Sequence, residues 1–227
     1  MLIPTYEVTG RSRHYKHTIK NPDEIKSVFK KGEANKKLGS CVTRGKWKGA
    51  RIFSLALEER ATCPRTCVQW SVCYGNNMPF AHRINHLHPN FYAIMKAELD
   101  KLDLMYRRYV MRLHVLGDFF SAEYCDWWKD QFKSRNRLHA WGYTAHNSDS
   151  VLGLLVNSIN KAYPERACIR FSDSEEDFMG TAVINDINIS PPRNHVICPE
   201  QLGTKPSCGE CTLCWSSPKT RILFNKH

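Results

Sequence analysis

Apolar and polar positions in the second half of the chain switch between two periods. "NFYAIMKAELDKLDLMYRRYV" (90–110) repeats Phe91, Ile94, Met95, Leu99, Leu102 and Met105 at helical spacing, on one side of a helix. "RLHVLG" (112–117) is a short apolar run of the kind that forms a buried strand. "SAEYCDWWKDQFKS" (121–134) returns to helical spacing behind Ser121, a capping residue. The cycle then repeats, with strands predicted at "LHAWGYT" (138–144), "ACIRFS" (167–172) and "HVICP" (195–199) and a helix at "SDSVLGLLVNSINKAY" (148–163). Upstream, "RIFSLAL" (51–57) predicts another buried strand. "NPDEIKSVFKKG" (21–32) predicts a short helix, capped by Asn21, opened by Pro22 and ended by Gly32.

Alternating strands and helices with buried-type strands imply a parallel sheet wrapped by helices. At 227 residues the chain is short of the about 250 that a complete eight-fold barrel takes. The expected fold is therefore α/β: a partial, open parallel α/β barrel of about five or six strands, with a Rossmann-like open sheet second. Three segments are expected. Residues 1–50 form a basic N-terminal region, 51–190 the partial barrel, and 191–227 a cysteine-rich metal-binding tail packed on it. "SPPRNH" (190–195) is the proline-rich joint between the last two.

In such folds function collects at the carboxyl ends of the strands. Three predicted strands end in polar or flexible residues: Gly117-Asp118; Tyr143, Thr144, His146 and Asn147; and Ser172, Asp173 and Ser174. Helix capping also asks for Ser, Asp and Asn at these places, and both readings stand. Gly117 would let another group approach the backbone beside Asp118. His114, mid-strand, reads as a buried, hydrogen-bonded histidine. In "AHRINHLHPN", His82 and His86 are four apart and would share a helix face as metal ligands, while Arg83 could take a phosphate or carboxylate.

Composition adds a partner class. The formal charge of +11 attracts polyanions, and the first fifty residues hold much of the excess, so a nucleic acid or nucleotide is the expected partner. No apolar run is long enough to cross a bilayer, and the opening residues lack the order of a secretory signal. A soluble, cytoplasmic protein is expected.

Ten cysteines in a reducing compartment point to metal. Cys41, Cys125 and Cys168 stand alone and read as small buried residues. The loop "TCPRTCVQWSVCYGNN" (62–77) carries Cys63, Cys67 and Cys73 as Cys-x3-Cys-x5-Cys. The tail "CPEQLGTKPSCGECTLCW" carries Cys198, Cys208, Cys211 and Cys214. Four thiolates make a closed site for a 4Fe-4S cluster or zinc. Three would leave one iron of a cluster open to a small ligand, and an open position is what metal chemistry needs. Zinc completed by a distant residue is the alternative for the loop. A mixed arrangement, with Cys198 completing the loop's set, is also open, and His227 is a spare ligand.

The chain resembles the gene product 88 family of phage proteins. The likeness runs through "NKKLG" (35–39), "RIFSLALEERATCP", "CYGNN", "RLHVLGDFFSAEYCDWW", "HAWGYTAHNSD", "IRFSDSE", "VICPEQ" and "CGECTLCW", in that order. More remotely, its layout is similar to the radical S-adenosylmethionine enzymes. They carry a three-cysteine cluster loop after the first strand of a partial barrel, usually spaced Cys-x3-Cys-x2-Cys. Some add a C-terminal extension with further clusters. In that family the open iron binds the amino and carboxylate groups of S-adenosylmethionine, which one electron from a donor protein cleaves to a carbon radical. The resemblance implies an iron-sulfur enzyme with its first cluster on Cys63, Cys67 and Cys73. Asp118, Tyr143 and His146 would be catalytic, and Gly117, Asp118, Thr144 and Ser172 would bind the cofactor. A non-enzymatic nucleic-acid-binding protein, stapled by zinc or iron-sulfur centres, is the rival expectation.

Overall fold

The computed structural model describes residue 15, residues 17–172 and residues 179–226. Its centre is a sheet of eight strands in the order β2-β3-β5-β6-β7-β8-β10-β9. These are β2 (Lys30–Lys31), β3 (Arg51–Ala56), β5 (Tyr109–Leu116), β6 (Leu138–Thr144), β7 (Ala167–Ser172), β8 (Gly180–Ile184), β9 (His195–Ile197) and β10 (Arg221–Asn225). All pairings are parallel except β2 with β3. Two short strands, β1 (Ile19–Lys20) and β4 (Arg83–Ile84), pair with each other apart from it. Strands β3, β5, β6, β7 and β8 lie in chain order. Helices α2 (Phe91–Met105), α3 (Ala122–Ser134) and α4 (Val151–Ala162) separate the first four, and α1 (Glu59–Thr62) is one buried turn after β3.

Alternation along the strands divides the core into two faces. Phe53, Leu55, Tyr109, Met111, Leu113, Ala140, Ile169 and Phe171 pack with buried residues of α2, α3 and α4. Ile52, Val110, Trp141, Cys168 and Ile222 face the other way, onto residues 38–50 and the tail's Cys198, Cys214 and Trp215. The three long helices therefore share one face, and the tail fills the other. Gly142 lets β5 and β6 approach: a Cβ there would lie 1.4 Å from the Leu113 carbonyl oxygen. Because β9 and β10 belong to the sheet, the segment expected as an appended tail supplies two of its strands.

Helices α3 and α4 start where the sequence places them. Ser121 accepts from Tyr124 N and Ser150 from Gly153 N. In α2 the buried residues are Phe91, Met95, Leu99 and Leu102, but Met105 points out, 69% exposed, as the helix ends.

The helix expected at 21–32 does not form. The Glu98 carboxylate of α2 instead accepts from Ser27 Oγ (2.7 Å), Val28 N (2.7 Å) and Phe29 N (3.2 Å). Val28 and Phe29 enter the core, and Lys30–Lys31 joins the sheet. A helix this short is marginal in water, so tertiary bonds override its local signals. The helix that would have aligned His82 and His86 is also absent. The chain there is extended as β4, with His82 exposed and His86 buried. Strands β8 and β10 were not anticipated; each has only five residues.

Candidate functional site

The three-cysteine loop leaves the sheet at the carboxyl end of β3, through α1. Glu59 and Arg60 of that turn are buried and brace the loop from beneath. Arg83 of β4 clasps Glu59 through Nε–Oε2 (2.7 Å) and Nη2–Oε1 (2.9 Å), and donates further to Gly75 O, Ala81 O and Thr18 Oγ1. The carboxylate that Arg83 binds is thus the protein's own. A buried ion pair persists when its other donors are also satisfied, as here. Arg60 stacks against Trp70 (4.8 Å) and donates to the Trp70 carbonyl and Asn76 Oδ1. Both charged residues of α1 therefore hold the far end of the loop.

Cys63, Cys67 and Cys73 are partly buried and free. Burial, then Asp118, Cys73, Cys67 and Glu59, push the Cys63 thiol well above the usual range. Burial likewise raises Cys67 and Cys73. The three sulfurs thus share one electrostatic neighbourhood with two carboxylates, and a cation there would reverse its logic by favouring thiolates. Among the described residues, no three His, Cys, Asp or Glu side chains converge as a preformed metal cage. The loop fits a metal by its donor chemistry and charge.

Asp118 ties this loop to the next two strands. Its Oδ1 accepts from Phe119 N and its Oδ2 from Ala145 N, each at 2.7 Å, and the Thr144 side chain also bonds to it. Burial raises its pKa, while His146 and these hydrogen bonds oppose the rise. Its own N–H donates to Thr62 Oγ1 (3.2 Å) at the root of the loop. Gly117 has φ 85°, and a Cβ there would meet Thr62 Oγ1 at 2.6 Å and Leu57 Cβ at 2.7 Å. The close approach that Gly117 permits is therefore made by β3's own exit. His146 Nε2 contacts the Phe119 carbonyl at 2.7 Å. A carbonyl only accepts, so Nε2 carries a proton and donates it there.

Tyr143 belongs to the opposite face. Its hydroxyl donates to Cys214 Sγ (2.8 Å), and the Arg112 guanidinium lies 4.5 Å from its ring centre. Ser172 ends β7, two strands from Asp118, in register with Thr181. Asp118, Thr144 and His146 thus come together beside the loop, while Tyr143 joins the tail. Asp173, Ser174 and His227 lie outside the described residues. His114 is buried against Tyr124 OH (2.8 Å), and burial lowers its pKa to about 3.

In the tail, Cys198 follows β9, Cys208 and Cys211 bound α5 (Cys208–Cys211), and Cys214 lies in α6 (Leu213–Ser216). All four line one small cavity of about 10 Å³, with Pro199, Thr212, Trp215 and Ile222. Cys198 therefore groups with the tail. Thr212 joins the two helical turns at φ 64°, a left-handed conformation costly for a β-branched residue. Residues 37–47 clamp this knot. Cys208 N donates to Lys37 O (2.7 Å), Arg44 Nη2 to Cys211 O (2.6 Å), and Trp215 stacks on Trp47 (5.3 Å). Basic residues that suggested nucleic acid are thus partly used inside the molecule.

Arg170, wholly buried on β7, donates to Cys214 O (2.7 Å), Ser217 O (2.8 Å) and Thr220 O (2.9 Å). No carboxylate pairs with it among the described residues. A buried guanidinium without a carboxylate is costly unless other negative charge balances it. Four thiolates around a divalent ion, or around a 4Fe-4S cluster, leave a net negative centre that would do so. Burial first, then Cys214 and Cys198 among other charges, raises the metal-free Cys208 thiol. Arginines 112 and 170 escaped the sequence reading, although a charge inside an apolar strand is a visible signal.

Fold and site together define an α/β protein with a largely parallel sheet, three long helices on one face, and two thiol groups. The chain belongs to the gene product 88 family of phage proteins, which it matches over residues 20–217. No curated protein and no solved structure matches it. No helix among the described residues is long and apolar enough to cross a membrane.

Proposed function

We propose that the protein is an iron-sulfur enzyme working at the carboxyl edge of its sheet. One observation carries this reading: three thiols leave the end of the first parallel strand and share their neighbourhood with Asp118 from the end of the next. Strands in chain order with all long helices on one face support an open, partial barrel, in which that edge is the mouth. Cys63, Cys67 and Cys73 would hold a 4Fe-4S cluster, and Cys198, Cys208, Cys211 and Cys214 a second cluster or zinc. When bound, a three-thiolate cluster supplies one open iron for a small ligand such as S-adenosylmethionine and a route for one electron from a donor protein.

The surrounding residues have separate tasks. Asp118 fixes the ends of β5 and β6 relative to the loop, because its two oxygens bind amides from both. His146 is the group placed to accept a proton, at Nδ1, while the Phe119 carbonyl holds its other nitrogen. Thr144 orients both, bonding the Asp118 carboxylate and accepting from His146 N (3.2 Å). The substrate class is a nucleotide or nucleic acid, supported by charge alone.

A second reading, a metal-stapled nucleic-acid-binding protein without catalysis, is favoured by the way backbone amides already occupy both Asp118 oxygens. Purification without oxygen, followed by iron and sulfide analysis, tests the first reading. Iron and sulfide beyond one cluster per chain support it, and zinc alone at full occupancy defeats it. Asp118→Asn then separates the two: an enzyme loses turnover, whereas a binding module keeps its affinity for RNA or DNA.

A further inference from the structure

The inner face of the sheet leaves one guanidinium unspent. Arg83 and Arg170 donate to carbonyls, a hydroxyl or a carboxylate on every side. Arg60 buries an unpartnered Nε but bonds through both terminal nitrogens, and Arg221, which makes no side-chain hydrogen bond among the described residues, buries only its inner Nε. Arg112, on β5, differs: its terminal Nη1 is buried without a partner, and the group makes no ion pair or hydrogen bond among the described residues. The guanidinium lies over the ring of Tyr143 at 4.5 Å, whose hydroxyl is committed to Cys214. Arg112 is also within electrostatic reach of Tyr74, next to Cys73, and of Cys208. Through Tyr143 it is linked to the tail's Cys214, and its charge is felt on the loop side at Tyr74.

A guanidinium that buries a terminal nitrogen without an acceptor is suited to a planar or tetrahedral oxyanion. Stacking on Tyr143 fixes the plane of the fork but uses none of its N–H groups. We infer that Arg112 is the anchor of an anion site between the cysteine loop and the tail, receiving the carboxylate or phosphate of the ligand bound there. The inference rests on the carboxyl edge being the working face, and it assigns that face an anionic small molecule. It does not require iron at either cysteine group.

Calorimetric titration of protein purified without oxygen, with its metal content measured on the same sample, tests this. The probes are S-adenosylmethionine for the carboxylate, adenosine monophosphate for the phosphate, and adenosine as the uncharged control. At least one of the two probes that carry an oxyanion should bind the wild type more tightly than adenosine does. Arg112→Gln should weaken that probe at least tenfold, leave adenosine unchanged and keep the metal content and melting temperature. Arg112→Lys, which keeps the charge but not the fork, should fall between. Which anion responds identifies the source of the oxyanion. The inference is overturned if neither oxyanion-bearing probe binds the wild type better than adenosine, or if both variants bind it as well as the wild type. Loss of tail metal or fold in both variants also overturns it, since Arg112 would then be a counter-charge to the thiolates. An iron-free sample that still binds the anion through Arg112 would sink the proposed iron-sulfur chemistry and leave this site standing.

Discussion

The loop and the tail present the same donor atom in opposite settings. The tail's four thiols line one cavity, Trp215 packs between Trp47 and Trp141, and buried Arg170 faces the knot. The loop's three thiols are partly open, Glu59 and Asp118 lie beside them, and exposed Val68, Val72 and Tyr74 flank them. A positive, enclosed shell suits a centre that stays closed. A more accessible one, where Asp118 stands beside Cys63 and Glu59 is paired with Arg83, leaves room for a ligand to arrive. The surroundings, more than the cysteine count, separate a structural role from a chemical one.

Acid offers the largest perturbation. Burial lowers His86 to about 4, His114 to about 3 and His139 to about 4, against about 6.5 in an unfolded chain. Between those values the unfolded state binds more protons. Stability is therefore full above about pH 6.5 and drains as pH falls towards 4, by about 3 kcal/mol for each imidazole. His139 packs on Trp47 of the tail clamp, while His86 packs on Phe120. Denaturant midpoints at pH 7 and 4.5 should show the loss, and His139→Gln alone should reduce it by about a third if the three act independently.

Single cysteines come next. Cys208→Ser should lower the melting temperature by about 10 °C through loss of the tail's metal. Cys67→Ser should shift it by about 2 °C or less, while removing the loop's metal. Equal shifts would erase the distinction between the groups. Arg170→Leu strips the donors from three carbonyls, that of Cys214 buried, and should cost about 3 kcal/mol, read from urea unfolding. The smallest effect is local: Thr212→Gly relieves the left-handed residue and should stabilise the tail by about 1 kcal/mol. A loss there would mean that the Thr212 side chain matters more than its backbone.

The strand–helix cycle from 109 to 172 was legible because each element is long, periodic and capped, as with Ser121. Of the two cysteine groups marked by spacing, the structure gathers the tail's four around one cavity. Strands β8 and β10 were not legible, since five-residue apolar runs carry little periodic signal. The 21–32 segment misled because its caps are local, whereas the Glu98 carboxylate that captures it lies some seventy positions away. Tyr143 was grouped with Asp118 for the same kind of reason. Adjacent strand residues face opposite sides, and sequence alone did not say that the tail covers one of them.

The most direct test is iron and acid-labile sulfide in anaerobically purified protein, compared with a variant in which Cys63, Cys67 and Cys73 are all serine. The account predicts that the variant stays folded and loses one cluster's iron and sulfide, while the tail's metal remains. Iron unchanged in that variant, or a wild type holding only zinc, would contradict it.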